Sequence, residues 1–127
     1  MASTKDYRDF VLENLYFLGT VIYKPMMGEY LLYYKETLFG GIYDDRLLVK
    51  KVDSNKKYNM QEEIPYKGAK PMYLVDDVDN RELLREIVLD TCKGLNEEKK
   101  EWIEENFEIS SFSMWLYYHK IIFFQDL

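Results

Sequence analysis

The stretch that decides the fold runs from Leu38 to Lys50 and reads LFGGIYDDRLLVK. Its β-branched and aromatic residues favour strands. Asp44-Asp45 favours a tight turn between them, because an aspartate side chain readily hydrogen-bonds the backbone of its own turn. The pair Gly40-Gly41 inside the first strand predicts a β-bulge, or the close approach of another backbone or a ligand. The stretch therefore predicts an antiparallel hairpin whose first strand is irregular at Gly40-Gly41.

Strand-like composition extends from this hairpin back to Thr20 and forward to Val52. Turn signals divide the stretch at Pro25–Gly28 and at Lys35-Glu36, and the proline suits only an edge strand or a bulge. Four short strands joined by tight turns form an antiparallel meander. The short apolar run from Met72 to Val75 is expected to add a fifth strand.

Residues 4–18 carry apolar side chains at three- and four-residue steps, which predicts an amphipathic N-terminal helix. Ser3 is the expected N-cap, and Gly19 is placed to end the helix in left-handed backbone. A polar, lysine-rich stretch follows the meander. There we expect a short helix near Ser54–Met60, with Asp53 as its cap.

The clearest helix is predicted at about Asn80–Lys93, where the apolar side chains share one face. Asp79 and Glu82 have the spacing of a capping box at its start. Gly94 is expected to close this helix, and a second, acidic helix is expected over Glu97–Asn106. The expected fold is therefore α+β with two layers, in which the N-terminal and C-terminal helices pack on the antiparallel sheet.

The length of 127 residues suits one domain with a short appendage. We expect a domain over residues 1–95 and an appended, helical, aromatic-rich segment over residues 96–127. The last part of that segment is apolar on every side, so something must cover it. We expect it to dock on the domain or on a second copy and to help form a homodimer. Its candidate interaction surface comprises Phe112, Trp115, Tyr117, Tyr118, Phe123 and Phe124.

Composition excludes several chemistries. The chain carries 17 Lys and Arg against 23 Asp and Glu, a net charge of -6, whereas general nucleic-acid binders are basic. The single cysteine, Cys92, excludes an internal disulfide, and the single histidine, His119, excludes a multi-histidine metal site. The N-terminus lacks a secretory signal, and no apolar run reaches about 18 residues. We expect a cytoplasmic protein with no cofactor, no membrane association and no direct nucleic-acid binding.

Three stretches resemble the N-terminal domain of the competence regulators TfoX/Sxy. They are KPMMGEY at residues 24–30, the Leu38–Lys50 stretch, and PYKGAKPM at residues 65–72, in the order and at the spacing of that family. The resemblance covers about residues 4–95 and implies a two-layer α+β domain of a helix, a meander and further strand and helix elements. It supplies no catalytic residues, and it implies a role in transcriptional regulation through protein contacts.

Two acidic motifs invite both a functional and a structural interpretation. Asp44-Asp45-Arg46 puts two carboxylates and a guanidinium on one turn, which would suit a cation or an acidic ligand. Aspartate is also ordinary in a hairpin turn, where Arg46 would neutralise either carboxylate. Asp76, Asp77 and Asp79 lack the glycine and glutamate spacing of an EF-hand, and we interpret them as capping residues of the following helix.

A local basic patch and the cysteine are further candidates. The basic patch has two interpretations: a surface that contacts phosphate groups, or a solvated loop. A nucleophile pair of Cys92 and His119 would require the C-terminal segment to fold back onto the helix around Cys92. Otherwise Cys92 is a small buried hydrophobe. The lysines of the patch are Lys50, Lys51, Lys56, Lys57, Lys67 and Lys70.

The sequence supports two alternative functions. The first is a non-enzymatic protein-interaction module, favoured by the lack of a catalytic constellation and by the 12 tyrosines, because tyrosine is enriched at protein interfaces. Its setting, implied by the resemblance, would be the transcriptional regulation of competence. The alternative is a small-ligand-binding protein with a pocket at the antiparallel sheet, formed around Gly40, Gly41 and nearby tyrosines.

Overall fold

The computed structural model describes residues 2–106 of the chain, with side chains described as far as Ile103. An N-terminal helix and a long C-terminal helix accompany a six-stranded antiparallel sheet, so the predicted α+β fold class is confirmed. Two short 3₁₀ helices, Tyr16–Leu18 and Asp53–Tyr58, connect the main elements. The main elements are α1 (Lys5–Leu15), β1 (Val21–Met26), β2 (Glu29–Tyr34), β3 (Thr37–Ile42), β4 (Leu47–Val49), β5 (Glu62–Glu63), β6 (Met72–Leu74) and α2 (Arg81–Asn106).

The sheet has the strand order β1-β2-β3-β4-β6-β5, so its first four strands form the predicted meander. β1 lies at an edge, where Pro25 is tolerated because an edge strand has one unpaired side. β6 is the predicted fifth strand, and it pairs with β4. β5 was not predicted. It is only two residues long, which is too short to show an alternating pattern in the sequence.

All three hairpins of the meander turn through two residues with positive φ. The pairs are Met27-Gly28 (51° and 85°), Lys35-Glu36 (44° and 67°) and Asp44-Asp45 (52° and 53°). Turns of this handedness match the right-handed twist of the flanking strands. Each turn lies where the sequence predicted a break, so the register of the whole meander follows from local turn chemistry.

The hydrophobic core lies between the sheet and the two helices. Val11 and Leu15 of α1 and Leu84 and Val88 of α2 are fully buried in it. Burying one side chain of this size stabilises the fold by about 1.5–3 kcal/mol. The strand residues in the same cluster are Tyr30, Leu32, Phe39, Ile42, Leu47, Val49 and Tyr73. This packing gives the two-layer arrangement that the sequence predicted.

The N-cap of α1 is Thr4, whose hydroxyl oxygen accepts a hydrogen bond from the backbone N–H of Tyr7 at 3.1 Å. The prediction that Ser3 caps the helix is wrong, because the Ser3 hydroxyl instead donates to the Glu29 carboxylate at 2.8 Å. The α-helix is also shorter than predicted, since its last turn is 3₁₀. Gly19 follows with a φ of 91°, in the positive region expected of a glycine at a helix end.

Helix α2 runs without a break, so the predictions that Gly94 ends one helix and that Glu97 begins another are wrong. Gly94 has a packing role instead. A Cβ at this position would lie 2.3 Å from Ser54 Oγ and 2.8 Å from Val52 Cγ2. The missing side chain therefore allows the segment around the second 3₁₀ helix to pack directly against α2.

Two further predicted caps lie one residue away from the true ones. Asn80, and not Asp79, caps α2, because Asn80 Oδ1 accepts from the backbone N–H of Leu83 at 3.3 Å. Asp53 is the first residue of the second 3₁₀ helix rather than its cap. Its carboxylate lies 2.8 Å from the Lys56 ammonium, which holds the pKa of Asp53 below its ordinary value.

Gly94→Ala should lower the free energy of unfolding, although alanine in a helix interior is ordinarily more stable than glycine by about 1 kcal/mol. The new Cβ would overlap Ser54 and Val52, and overpacking of this kind costs about 1–3 kcal/mol. Denaturant unfolding measures the change. Ser54→Ala makes room, so Gly94→Ala should cost less in that background. A Gly94→Ala variant as stable as the wild type would contradict the packing role.

Candidate functional site

The Asp44-Asp45 turn lies against the start of α1. Asp45 Oδ1 accepts hydrogen bonds from the backbone N–H of Thr4 at 2.7 Å and from the Thr4 hydroxyl at 3.2 Å. The backbone N–H of Asp45 donates to Ser3 Oγ at 3.1 Å. A carboxylate at a helix N-terminus also interacts favourably with the partial positive charge there. The turn thus joins the β3–β4 hairpin to the beginning of α1.

Glu29 extends this network from β2. Its Oε2 atom accepts from Ser3 Oγ at 2.8 Å and from the backbone N–H of Asp44 at 2.7 Å. Hydrogen bonds to a carboxylate are stronger than those between neutral groups. Two carboxylates, those of Glu29 and Asp45, therefore hold the N-terminal residues against the sheet.

Arg46 turns away from both aspartates, so the interpretation that it neutralises one of them is wrong. Its guanidinium lies 3.6 Å from the Glu63 carboxylate. It also donates to the carbonyl oxygens of Tyr43 at 3.1 Å, Ile64 at 3.3 Å and Pro65 at 3.4 Å. Arg46 thereby fixes the loop after β5 to the base of the β3–β4 turn.

β3 passes closer to its neighbours than a side chain would allow. A Cβ on Gly40 would lie 2.1 Å from the carbonyl oxygen of Leu48, and one on Gly41 would lie 2.7 Å from the carbonyl oxygen of Tyr30. The Tyr43 ring also lies 2.7 Å from that position on Gly41. The register between β2 and β3 shifts beside this glycine pair, as it does at a β-bulge.

A groove of about 870 Å³, called the sheet groove below, extends over the sheet and reaches the later part of α2. Its apolar lining includes Leu31 of β2, Leu38 of β3, Met72 of β6 and Leu95 of α2. Leu31 alternates with the core residue Leu32, so its side chain lies on the face of the sheet opposite to that of Leu32. The Gly40 backbone also lines the groove.

Lys50 is the most buried cation of the sheet groove. Its backbone N–H donates to the Phe39 carbonyl at 2.8 Å, and its carbonyl accepts from Asn55 Nδ2 at 2.8 Å. Burial lowers the pKa of the Lys50 ammonium, and the nearby Glu98 carboxylate opposes that shift. Within residues 2–103, the Lys50 ammonium forms no ion pair.

The lysines of the basic patch divide between ion pairs and the grooves. Lys50 and Lys70 line the sheet groove, whereas Lys67 lines a second groove beside it. The other three have carboxylate partners, which reduces the positive charge that they offer to a phosphate. Those pairs are Lys51–Glu62, Lys56–Asp53 and Lys57–Asp90.

The second groove, of about 1010 Å³, adjoins the sheet groove and shares Met26, Tyr43, Pro65 and Tyr66 with it. Large apolar side chains are exposed around it: Met27 is 97% exposed, Tyr66 59% and Ile64 54%. We call Met26, Met27, Ile64 and Tyr66 the tip patch. It combines the turn between β1 and β2 with the loop between β5 and β6.

Sequence reasoning identified the glycine pair and the aspartate turn but assigned no role to Met27, Tyr66 or the individual Lys50. A methionine in a turn was a usable signal for the first, because a large apolar side chain in a tight turn has little chance of burial. Lys50 carried only a weak signal, since its burial depends on the loop between β5 and β6 and on α2, both distant in sequence.

Cys92 is buried on α2, and burial raises the pKa of its thiol to about 12. It therefore behaves as a small hydrophobe, as predicted. His119 lies outside the described residues, as do Phe112, Trp115, Tyr117, Tyr118, Phe123 and Phe124. The docking of the segment that contains them, and the homodimer, stay predictions.

Two kinds of feature are absent from the described part of the chain. In residues 2–106, no helix has the length and apolar character needed to cross a membrane. Across the same residues, no group of three or more His, Cys, Asp or Glu side chains is placed to hold a metal ion. Asp76 and Asp77 instead line a small groove beside Tyr58.

The fold and its grooves define a small α+β domain whose antiparallel sheet carries an open apolar surface. The chain is 36% identical over 80 residues to the uncharacterized 12.7 kDa protein in the trpE 5′ region of Spirochaeta aurantia, a match that covers 61% of this chain and 70% of that relative. The chain belongs to the same family as this protein. No family model matches the sequence, and no solved structure gives a significant match.

Substitution of either glycine in β3 should destabilise the fold. Gly41→Val should cost on the order of 1–3 kcal/mol. Gly40→Ala should cost more than Gly41→Ala, because the nearest backbone atom would lie 2.1 Å from the new Cβ at position 40 and 2.7 Å from it at position 41. Thermal unfolding gives the order. Glu13→Ala is the control, because Glu13 is exposed on α1; melting temperatures that are equal for all these variants would contradict the close approach.

Cys92 should resist thiol reagents in the native protein. With a pKa of about 12, only about one thiol in ten thousand is ionised at pH 8, and the thiolate is the reactive form. Labelling with a chromogenic disulfide reagent at pH 8 should therefore be slow in buffer and rapid in denaturant. Rapid labelling of the native chain would contradict the burial and would favour the Cys92–His119 pair again.

Proposed function

We propose that this chain is a non-enzymatic protein-interaction module that binds an apolar segment of a protein partner at the tip patch. The observation that carries the proposal is the exposure of Met27, Ile64 and Tyr66 around a single groove. Clusters of large exposed apolar side chains typically mark interaction sites. Methionine and tyrosine are also enriched in protein interfaces relative to the rest of a protein surface.

The charged groups beside the tip patch support an apolar partner rather than a nucleic acid. Glu29 is engaged by Ser3 and by the Asp44 backbone. Arg46 is engaged by three carbonyl groups and by Glu63. These charges are used within the domain, and although Lys67 adds a cation to the groove lining, the patch offers mainly apolar area. A nucleic acid would require free cations for its phosphates.

The resemblance to the TfoX N-terminal domain supplies the proposed setting. Members of that family act in the regulation of competence, and a domain without catalytic residues would exert such a role through protein contacts. The tip patch includes residues from two of the three resembling stretches, 24–30 and 65–72. The part of the sequence that carries the resemblance is therefore also the part that carries the proposed contact.

Two tip-patch variants should each weaken partner binding by at least about tenfold, equivalent to about 1.4 kcal/mol. They are Met27→Asn and Tyr66→Ser. Met27 has a φ of 51°, a conformation that asparagine tolerates better than methionine, so the first variant should fold normally. Tyr16→Ser is the matched control, because Tyr16 is 83% exposed and lines a separate groove.

A photo-cross-linking amino acid at position 27 of the full chain would identify the partner in cells, and the purified partner would then be titrated against each variant. Loss of affinity in both patch variants, with none in Tyr16→Ser, supports the proposal. A partner that binds all variants equally, or a position 27 that captures no specific protein, would overturn it.

A second candidate function is small-ligand binding at the sheet groove. One observation favours it: a half-buried lysine with no ion pair in the described residues lines a mainly apolar groove. Ligand sites commonly combine an apolar lining with a few fixed polar groups, in volumes of about 300–1,000 Å³.

A further inference from the structure

We infer that the sheet groove binds a small apolar carboxylate, a molecule with a hydrocarbon or aromatic body and one carboxylate group that pairs with Lys50. The inference rests on the ligand-binding candidate and not on protein docking at the tip patch. It names the chemical class of the ligand and the residue that recognises its charge.

The lining of the groove selects the body of the ligand. Leu31, Leu38, Met72 and Leu95 present aliphatic and thioether surface from four different elements. Covering such surface gains about 25 cal/mol for each Å² removed from water. A strongly hydrated molecule, such as a sugar or a free nucleotide, would gain little of this contribution and would lose its own hydration.

Lys50 selects the charge. The backbone on both sides of its Cα is held by hydrogen bonds to Phe39 and Asn55, so the side chain leaves the sheet from a fixed point. A half-buried ammonium has lost part of its hydration, and a carboxylate would replace that lost solvation with a charge-assisted hydrogen bond. Lys50 is thus prepared for an anion before any ligand arrives.

The remaining charges of the groove favour one carboxylate over a phosphate. Lys51 is already paired with Glu62, and Glu98 contributes a negative charge near Lys50. Lys70 adds one further cation to the lining, and the Lys99 ammonium lies near Lys50 but does not line the groove. A phosphate carries up to two negative charges and ordinarily requires several donors, whereas a single carboxylate is matched by one lysine.

Dodecanoate is a suitable probe, with dodecanol and dodecylammonium as matched controls. The two ions are kept below their critical micelle concentrations, and dodecanol is kept below its solubility in water. Titration of the full chain, followed by calorimetry and by thermal unfolding, should show saturable binding of dodecanoate and a raised melting temperature. Lys50→Met should weaken dodecanoate binding by at least about tenfold. Lys5→Met, at an exposed position outside the groove, should not change it.

Lys50→Met should fold, because an apolar side chain replaces a partly desolvated charge. Binding of dodecanoate should also weaken as the pH rises through the pKa of Lys50, which burial holds below its ordinary value. Equal binding of dodecanol, equal binding by Lys50→Met, or no binding of dodecanoate would each overturn the inference. Met27→Asn leaves the lining of the sheet groove intact, so this variant should bind dodecanoate as the wild type does. The test of ligand binding and the test of protein docking can therefore fail independently of each other.

Discussion

The contact between the backbones of β3 and β4 at Gly40 is the constraint on which the rest of the structure depends. A Cβ there would lie 2.1 Å from the Leu48 carbonyl oxygen, so β3 can occupy the middle of the meander only with glycine at that point. The neighbouring Gly41 lets the Tyr43 ring lie close to the strand. The two glycines thus set the closeness of the central strands, and Gly40 also lines the sheet groove.

The second organising feature is the carboxylate network that fastens α1. Asp45 and Glu29 bind Ser3 and Thr4 across large separations in sequence, so the N-terminal residues depend on the hairpins for their position. Each charge used in this way is removed from the surface that a partner meets. The carboxylate network therefore lies beside the tip patch but adds little charge to it.

Local chemistry predicted much of the fold, and distant contacts account for the errors. The three tight turns and the strands between them follow from residues such as Asp44-Asp45, whose side chains act on their own backbone. The prediction that Gly94 ends a helix is wrong because glycine occurs both at helix ends and at sites of close packing. Only the positions of Ser54 and Val52 show that Gly94 is a site of close packing. β5 was missed because two residues are too few to show an alternating pattern.

Of the candidate sites, the Asp44-Asp45 turn and the Gly40-Gly41 pair could be identified from the sequence. A pocket near the glycine pair was an alternative in the sequence, but most of the residues that line the grooves could not be predicted, because distant segments form them.

Charge distribution links the composition of the chain to the proposed ligand. The chain has a net charge of -6, yet the described residues that line the sheet groove include Lys50, Lys51 and Lys70 and one acid, Glu98. A folded domain is stable by only about 5–15 kcal/mol, so a partly buried charge is a measurable burden unless a partner group offsets it. Within the described residues no carboxylate pairs with Lys50. The groove therefore combines apolar surface with a cation that forms no ion pair within residues 2–103, and a bound carboxylate would satisfy both at once.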